Sequence, residues 1–183
     1  PRRLFLAVIA FVAVVLALPT IVQAALADSS ADVEQVTLTE PSQDWEIDVP
    51  DLYCERDYES LASIGWTCGD VSVQATLTED AKDDATTLRR MVRALAMTSL
   101  PAGAPTFDGT NGALLLADAP SSTAALSLDG TGEDENKDWV VTVTGKGDQA
   151  RATASRIWHA FGQEELPADA NAEFADFSGE LMY

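Results

Sequence analysis

A single histidine, His159, and only two cysteines, Cys54 and Cys68, occur in these 183 residues. With no second imidazole and no Cys-x-x-Cys, neither a paired metal site nor a dithiol redox centre can be assembled. The chain also lacks a Gly-rich phosphate loop, a Gly-x-Ser-x-Gly elbow and a His-Glu-x-x-His helix. No nucleophile–base pair is visible, so no catalytic, cofactor-binding or metal residue is assigned and the chain is read as non-catalytic. Basic residues are scarce too: 11 Lys and Arg stand against 30 Asp and Glu, a net charge of −19. Two of the 11, Arg2 and Arg3, precede every acidic residue, and the part from Asp28 onward carries −21. Such a surface is a poor partner for nucleic acid or anionic lipid headgroups. Solubility explains the charge in the simplest reading; attraction to a basic partner surface or to cations is the sharper one.

What the chain does have is an apolar run from Leu4 to Leu18, preceded by Arg2-Arg3 and followed by Pro19 and Ala24-Ala25-Leu26-Ala27. A positive start, an apolar centre and small-residue flanks make an export signal. The run alone spans about 22 Å of helix, short of a hydrocarbon core of about 30 Å, whereas extension to Ala27 gives about 36 Å. Val22-Gln23-Ala24 and Ala25-Leu26-Ala27 read as cleavage sites, which the residues by themselves favour. With the run still at the head of the chain, the expectation is a retained, single-pass cell-membrane anchor over 1–27. Arg2 and Arg3 then hold the N-terminus in the cytoplasm, and the rest lies outside it. No cysteine stands near the end of the run to accept lipid.

Beyond the cytoplasm, an even cysteine count reads as a disulfide, Cys54–Cys68, of structural purpose. Residues 28–43 are polar and small and read as a stalk, with a short strand over Val36–Leu38 as an option. The folded domain is expected over 44–162. Trp45, Ile47 and Val49 alternate with acids until Pro50, and Val71, Val73, Ala75 and Leu77 alternate with Ser and Thr, both at the period of half-buried strands. From Ala81 the period lengthens. Ala85, Leu88, Val92 and Leu95 share one helical face, with Asp80 as the N-cap and Pro101-Ala102-Gly103 as the stop. Strands follow at Ala113–Ala117, Thr123–Leu128 and Asp138–Thr144, the last two a hairpin. A final helix starts from Asp148 as N-cap, carries Ala150, Ala154, Ile157, Trp158 and Phe161 inward, and ends at Gly162. This order predicts an α+β domain: one N-terminal transmembrane helix, then an antiparallel sheet with two packing helices.

The acidic loop 129–137 has oxygens that calcium prefers but not the alternate-position spacing of an EF-hand, and reads as solvated. His159, late in the last helix, reads as a capping or surface residue. Trp45, Trp66, Trp139 and Trp158 read as core or disulfide packing. The segment 163–183 has no clear period, yet it carries Phe174, Phe177, Leu181, Met182 and Tyr183 between acids. It is expected to be a docking tail with these residues as anchors on a partner, or else to pack back on its own domain.

In layout the chain resembles small exported α/β proteins of actinobacterial envelopes, including Mog1/PsbP-like lipoproteins. Its single span and acidic exported domain are also similar to those of accessory subunits of the actinobacterial cytochrome bcc–aa3 respiratory supercomplex. The resemblance implies a non-catalytic subunit, anchored in the membrane beside a larger integral membrane complex and covering its outer face. An envelope module binding lipid or glycolipid is the alternative, with an unrecognised hydrolase behind both.

Overall fold

A computed structural model describes residues 33–176, apart from 82, 102 and 164. The strand with the cleanest alternation, β4 (Val71–Glu79), runs through the middle of an antiparallel sheet. Before it come β1 (Val33–Leu38), β2 (Ile47–Arg56) and β3 (Ile64–Cys68), a meander in chain order. After it the chain crosses the sheet through helix α1 (Asp84–Leu95). It then builds β5 (Thr106–Asp108), β6 (Ala113–Asp118), β7 (Thr123–Asp129) and β8 (Lys137–Thr144) inward from the far edge. The described strands thus lie in the order β1-β2-β3-β4-β8-β7-β6-β5. The β4–β8 ladder, unbroken from Ser72↔Thr144 to Glu79↔Lys137, joins the two meanders. Helices α2 (Gly147–Ala160) and α3 (Ala168–Asp176) complete the domain.

Successive strand residues face opposite sides, and here each side of the sheet has its own core. On one, Leu88 and Val92 of α1 pack on Leu114, Leu116, Ala125 and Val140. On the other, Ala150, Ala154, Ile157 and Trp158 of α2 and Ala170 and Phe174 of α3 join the larger core. That core contains Trp66, Trp139, Val73 and Val141. Helix α1 packs on β6, β7 and β8. The predicted antiparallel sheet with packing helices is present, with three described helices rather than two.

Several boundaries differ from expectation, each for a local reason. Residues 33–38 are an edge strand of the sheet and not stalk: Val36 and Leu38 are fully buried while the alternate residues stay in water. Pro50 does not end its strand. The register slips from Thr37↔Asp48 to Gln35↔Tyr53, placing Pro50 and Asp51 in a bulge, where a missing N–H costs no ladder bond. Helix α1 begins later than Ala81: its cap is Asp83, whose Oδ1 accepts the Thr86 N–H at 2.6 Å, and Asp80 lies outside it. Helix α2 has Lys146 at its N-cap without a side-chain bond, and Asp148 sits in its first turn, ion-paired with Arg151. Strand β3 was hidden within the disulfide loop, and β5 was hidden by its brevity.

Candidate functional site

The β7–β8 hairpin closes through the Gly130 N–H, which donates to the Lys137 carbonyl at 2.7 Å. This register sets Asp129 directly opposite Asp138 on the side of the sheet that α1 covers, two residues from Ala125–Ser127 and Val140. Like charges directly opposite across a ladder repel. Asp138 is only 8% exposed. Ser127 Oγ and Asp129 Oδ1 are buried with no hydrogen-bond partner among the described residues. On the other side of Asp129 stands Gly112 at φ 75°, where a β-carbon would overlap the Asp129 carboxyl. The position therefore requires glycine twice over, for its backbone conformation and for space.

On the far side of Gly112, the start of α1 and the β5–β6 turn bound an open cleft of about 390 Å³. Asp83, Asp84, Asp108, Gly109 and Gly112 are among its lining residues. Burial, then the Asp129 charge, then Asp84 push the Asp138 carboxyl up to about 6, against a counteracting bond from the Thr78 hydroxyl. Burial first and Asp84 second also raise Asp129. Asp83, by contrast, is held below its ordinary value, first by the Thr86 backbone N–H that it caps. The neighbouring cations are engaged elsewhere. Lys137 Nζ bonds Asp134 at 2.6 Å, and Arg89 donates to the carbonyls of Ala85 and Ala104. This arrangement favours a proton on Asp138. Among the described residues no three His, Cys, Asp or Glu side chains are placed to hold a metal ion.

The expected residues fall as follows. Cys54 and Cys68 form the disulfide, with Cα atoms 4.6 Å apart, joining β2 to β3 in the larger core. Trp66, Trp139 and Trp158 are buried, and Trp45 packs at 6.3 Å on Trp139. His159 Nδ1 lies 2.9 Å from the Gln163 carbonyl at the end of α2. In loop 129–137 a 3-10 turn, Gly132–Asp134, presents Glu133 outward and turns Asp134 to Lys137. The docking tail requires correction at its start. Gln163 is buried and bolts the end of α2 to the β5–β6 turn, accepting from Thr110 N at 2.8 Å and donating to Thr110 O at 2.9 Å. Phe174, 1% exposed, lies in α3 within the domain's own core, so it is not an accessible anchor. Leu166 and Ala170 are buried in the same core. Phe177, Leu181, Met182 and Tyr183 lie outside the described residues, as do the expected anchor and residues 28–32. Among the described residues no helix is long and apolar enough to cross a membrane.

Sequence reasoning missed the Asp129–Asp138 pair because the two residues sit at the margins of an acidic loop, and only the register makes them neighbours. It also missed the exposed apolar residues at one end of the sheet. Val33 pairs with Glu55, and the loop after Arg56 carries Tyr58 and Leu61. Val33, Tyr53 and Leu61 are each about 60% exposed, and Tyr58 is 87% exposed. Compared with protein-family models, curated proteins and solved structures, the chain matches none.

Proposed function

We propose that this chain is a non-catalytic accessory subunit, held by a retained N-terminal span and docked through its exported domain on a larger integral membrane complex. The observation that carries this reading is the concentration of exposed apolar side chains in β1, β2 and the loop after β2. Four of the five large hydrophobic residues that remain exposed among the described ones, Val33, Tyr53, Tyr58 and Leu61, belong to β1, β2 and the loop after β2. Val33 and Tyr53 share a hollow of about 170 Å³ with Glu55, Thr67 and Gly69. Isolated apolar residues on a surface need no explanation, but a neighbouring set with two tyrosines is the composition of a docking patch. The surrounding acids suit a basic rim on the partner. A complex of respiratory type is the partner that the sequence resemblance points to.

A lipid-binding module draws less support. Trp66, Trp139, Trp158 and Phe174 fill the larger core, and the described hollows are open and lined largely by polar groups.

Membrane fractionation followed by native sizing in mild detergent tests the proposal. The chain should resist carbonate extraction and migrate with a complex much larger than itself. The combined variant Tyr53→Ser, Tyr58→Ser, Leu61→Ser should stay in the membrane but leave the complex. A native chain that migrates as a monomer, or a variant that associates as tightly as the native chain, would refute it.

A further inference from the structure

We propose that the facing carboxyls of Asp129 and Asp138 form a proton-operated latch, seating the first turn of α1 while Asp138 holds a proton and loosening it when both ionise. The geometry supplies the parts. The two residues are register partners on one face, one of them almost wholly buried, beneath a helix whose first residue is a third acid, Asp84. The charged and titratable groups around the pair can be named by element. Helix α1 brings Asp84 and its cap Asp83, with Arg89 and Arg90 acting on Asp83. Strand β4 brings Thr78 and Glu79, the latter opposite Lys137. Strand β8 brings Lys137, already bonded to Asp134. Asp108 lines the cleft from β5, and Gly112–Leu114 of the adjoining turn and strand bring no charge.

None of the described cations is bonded to the pair. When Asp138 holds a proton, repulsion across the register pair is relieved and only the charges of Asp129 and Asp84 remain. When that proton leaves, three negative groups crowd a partly dry site, and parting α1 from the pair relieves them. Movement is confined to the first turn. Leu88 and Val92 are fully buried on the sheet, and Arg89 ties the middle of the helix to the Ala104 carbonyl. The carboxyl values support this coupling, since both members are raised and Asp84 contributes to each. The latch does not depend on the docking reading.

Hydrogen exchange of the full chain in detergent, corrected for intrinsic rates, reads it out. Between about pH 5 and about pH 7.5, protection of the Thr87 and Leu88 amides should fall roughly tenfold, while that of Val140–Val143 in β8 stays constant. Asp138→Asn should hold the α1 amides protected across the range. Should that variant fail to fold, the native exchange profile and a carbon-13 titration of the Asp138 carboxyl decide the matter. Equal α1 protection at both pH values, loss of protection in α1 and β8 together, or an unchanged pH response in Asp138→Asn would each overturn the latch.

Discussion

Replacing Cys54 and Cys68 by serine should open the domain along one seam before it unfolds as a whole. The β2–β3 ladder is short, pairing only Glu55↔Thr67 and Arg56↔Trp66, whereas β3–β4 and β4–β8 pair along their lengths. The β1–β2 hairpin is therefore joined to the sheet by that short ladder, the disulfide, the Asp57 N–H bond to the Gly65 carbonyl at 2.9 Å and the Trp66 Nε1 bond to Glu34 at 3.2 Å, and to α2 by packing and the Arg156–Asp51 carbonyl bond at 2.7 Å. A bridge with a sequence separation of 14 constrains the unfolded chain by about 3 kcal/mol in the loop-entropy model. For a domain of this size that corresponds to a melting temperature lower by roughly 6–12 °C. Hydrogen exchange of the double serine variant should show early loss of protection in β1 and β2, with β4 and β8 protected up to the global transition. An unchanged melting temperature would refute the entropic argument. Simultaneous loss of protection in β2 and β8 would refute the seam.

Stability should fall as pH rises through the Asp138 titration. Its folded value of about 6 exceeds the ordinary 3.8, so its contribution is complete below about pH 4 and lost as pH passes 6. The shift sets a ceiling of about 3 kcal/mol, and solvent screening at the sheet margin reduces the expected loss to about 1–2 kcal/mol. Denaturant titrations of the native chain and of Asp138→Asn measure it: the slope with pH should flatten in the variant, and equal slopes would sink the assignment. Gly112→Ala combines a positive φ with overlap at Asp129 and should cost about 2 kcal/mol, read as a lower denaturation midpoint. Phe174→Ala, at a fully packed core position, should cost about 3–5 kcal/mol; a near-neutral effect would return Phe174 to a role outside the fold.

The periodic parts of this chain were legible in its residues because a half-buried strand or helix writes its own alternation. Strands β4, β6, β7 and β8, the apolar faces of α1 and α2, and the Cys54–Cys68 pairing all carry such local signals. The strands with weak signals are edge elements or short ones. In β1 only Val36 and Leu38 need be apolar, so it resembled a stalk, and β5 has three residues. The α1 cap was misplaced by three residues because Asp80 and Asp83 offer equivalent oxygens, and only Asp83 has the geometry to reach the Thr86 N–H; the α2 cap was misplaced by two because Lys146 caps without a side-chain bond. Burial of Phe174 and Gln163 was decided by α3 and the α2 terminus folding back on the sheet, contacts without a sequence period. The candidate site lay furthest from view. Asp129 and Asp138 are ordinary loop-margin acids in the sequence, and they become a repelling pair only because the hairpin register sets them face to face and the fold buries Asp138.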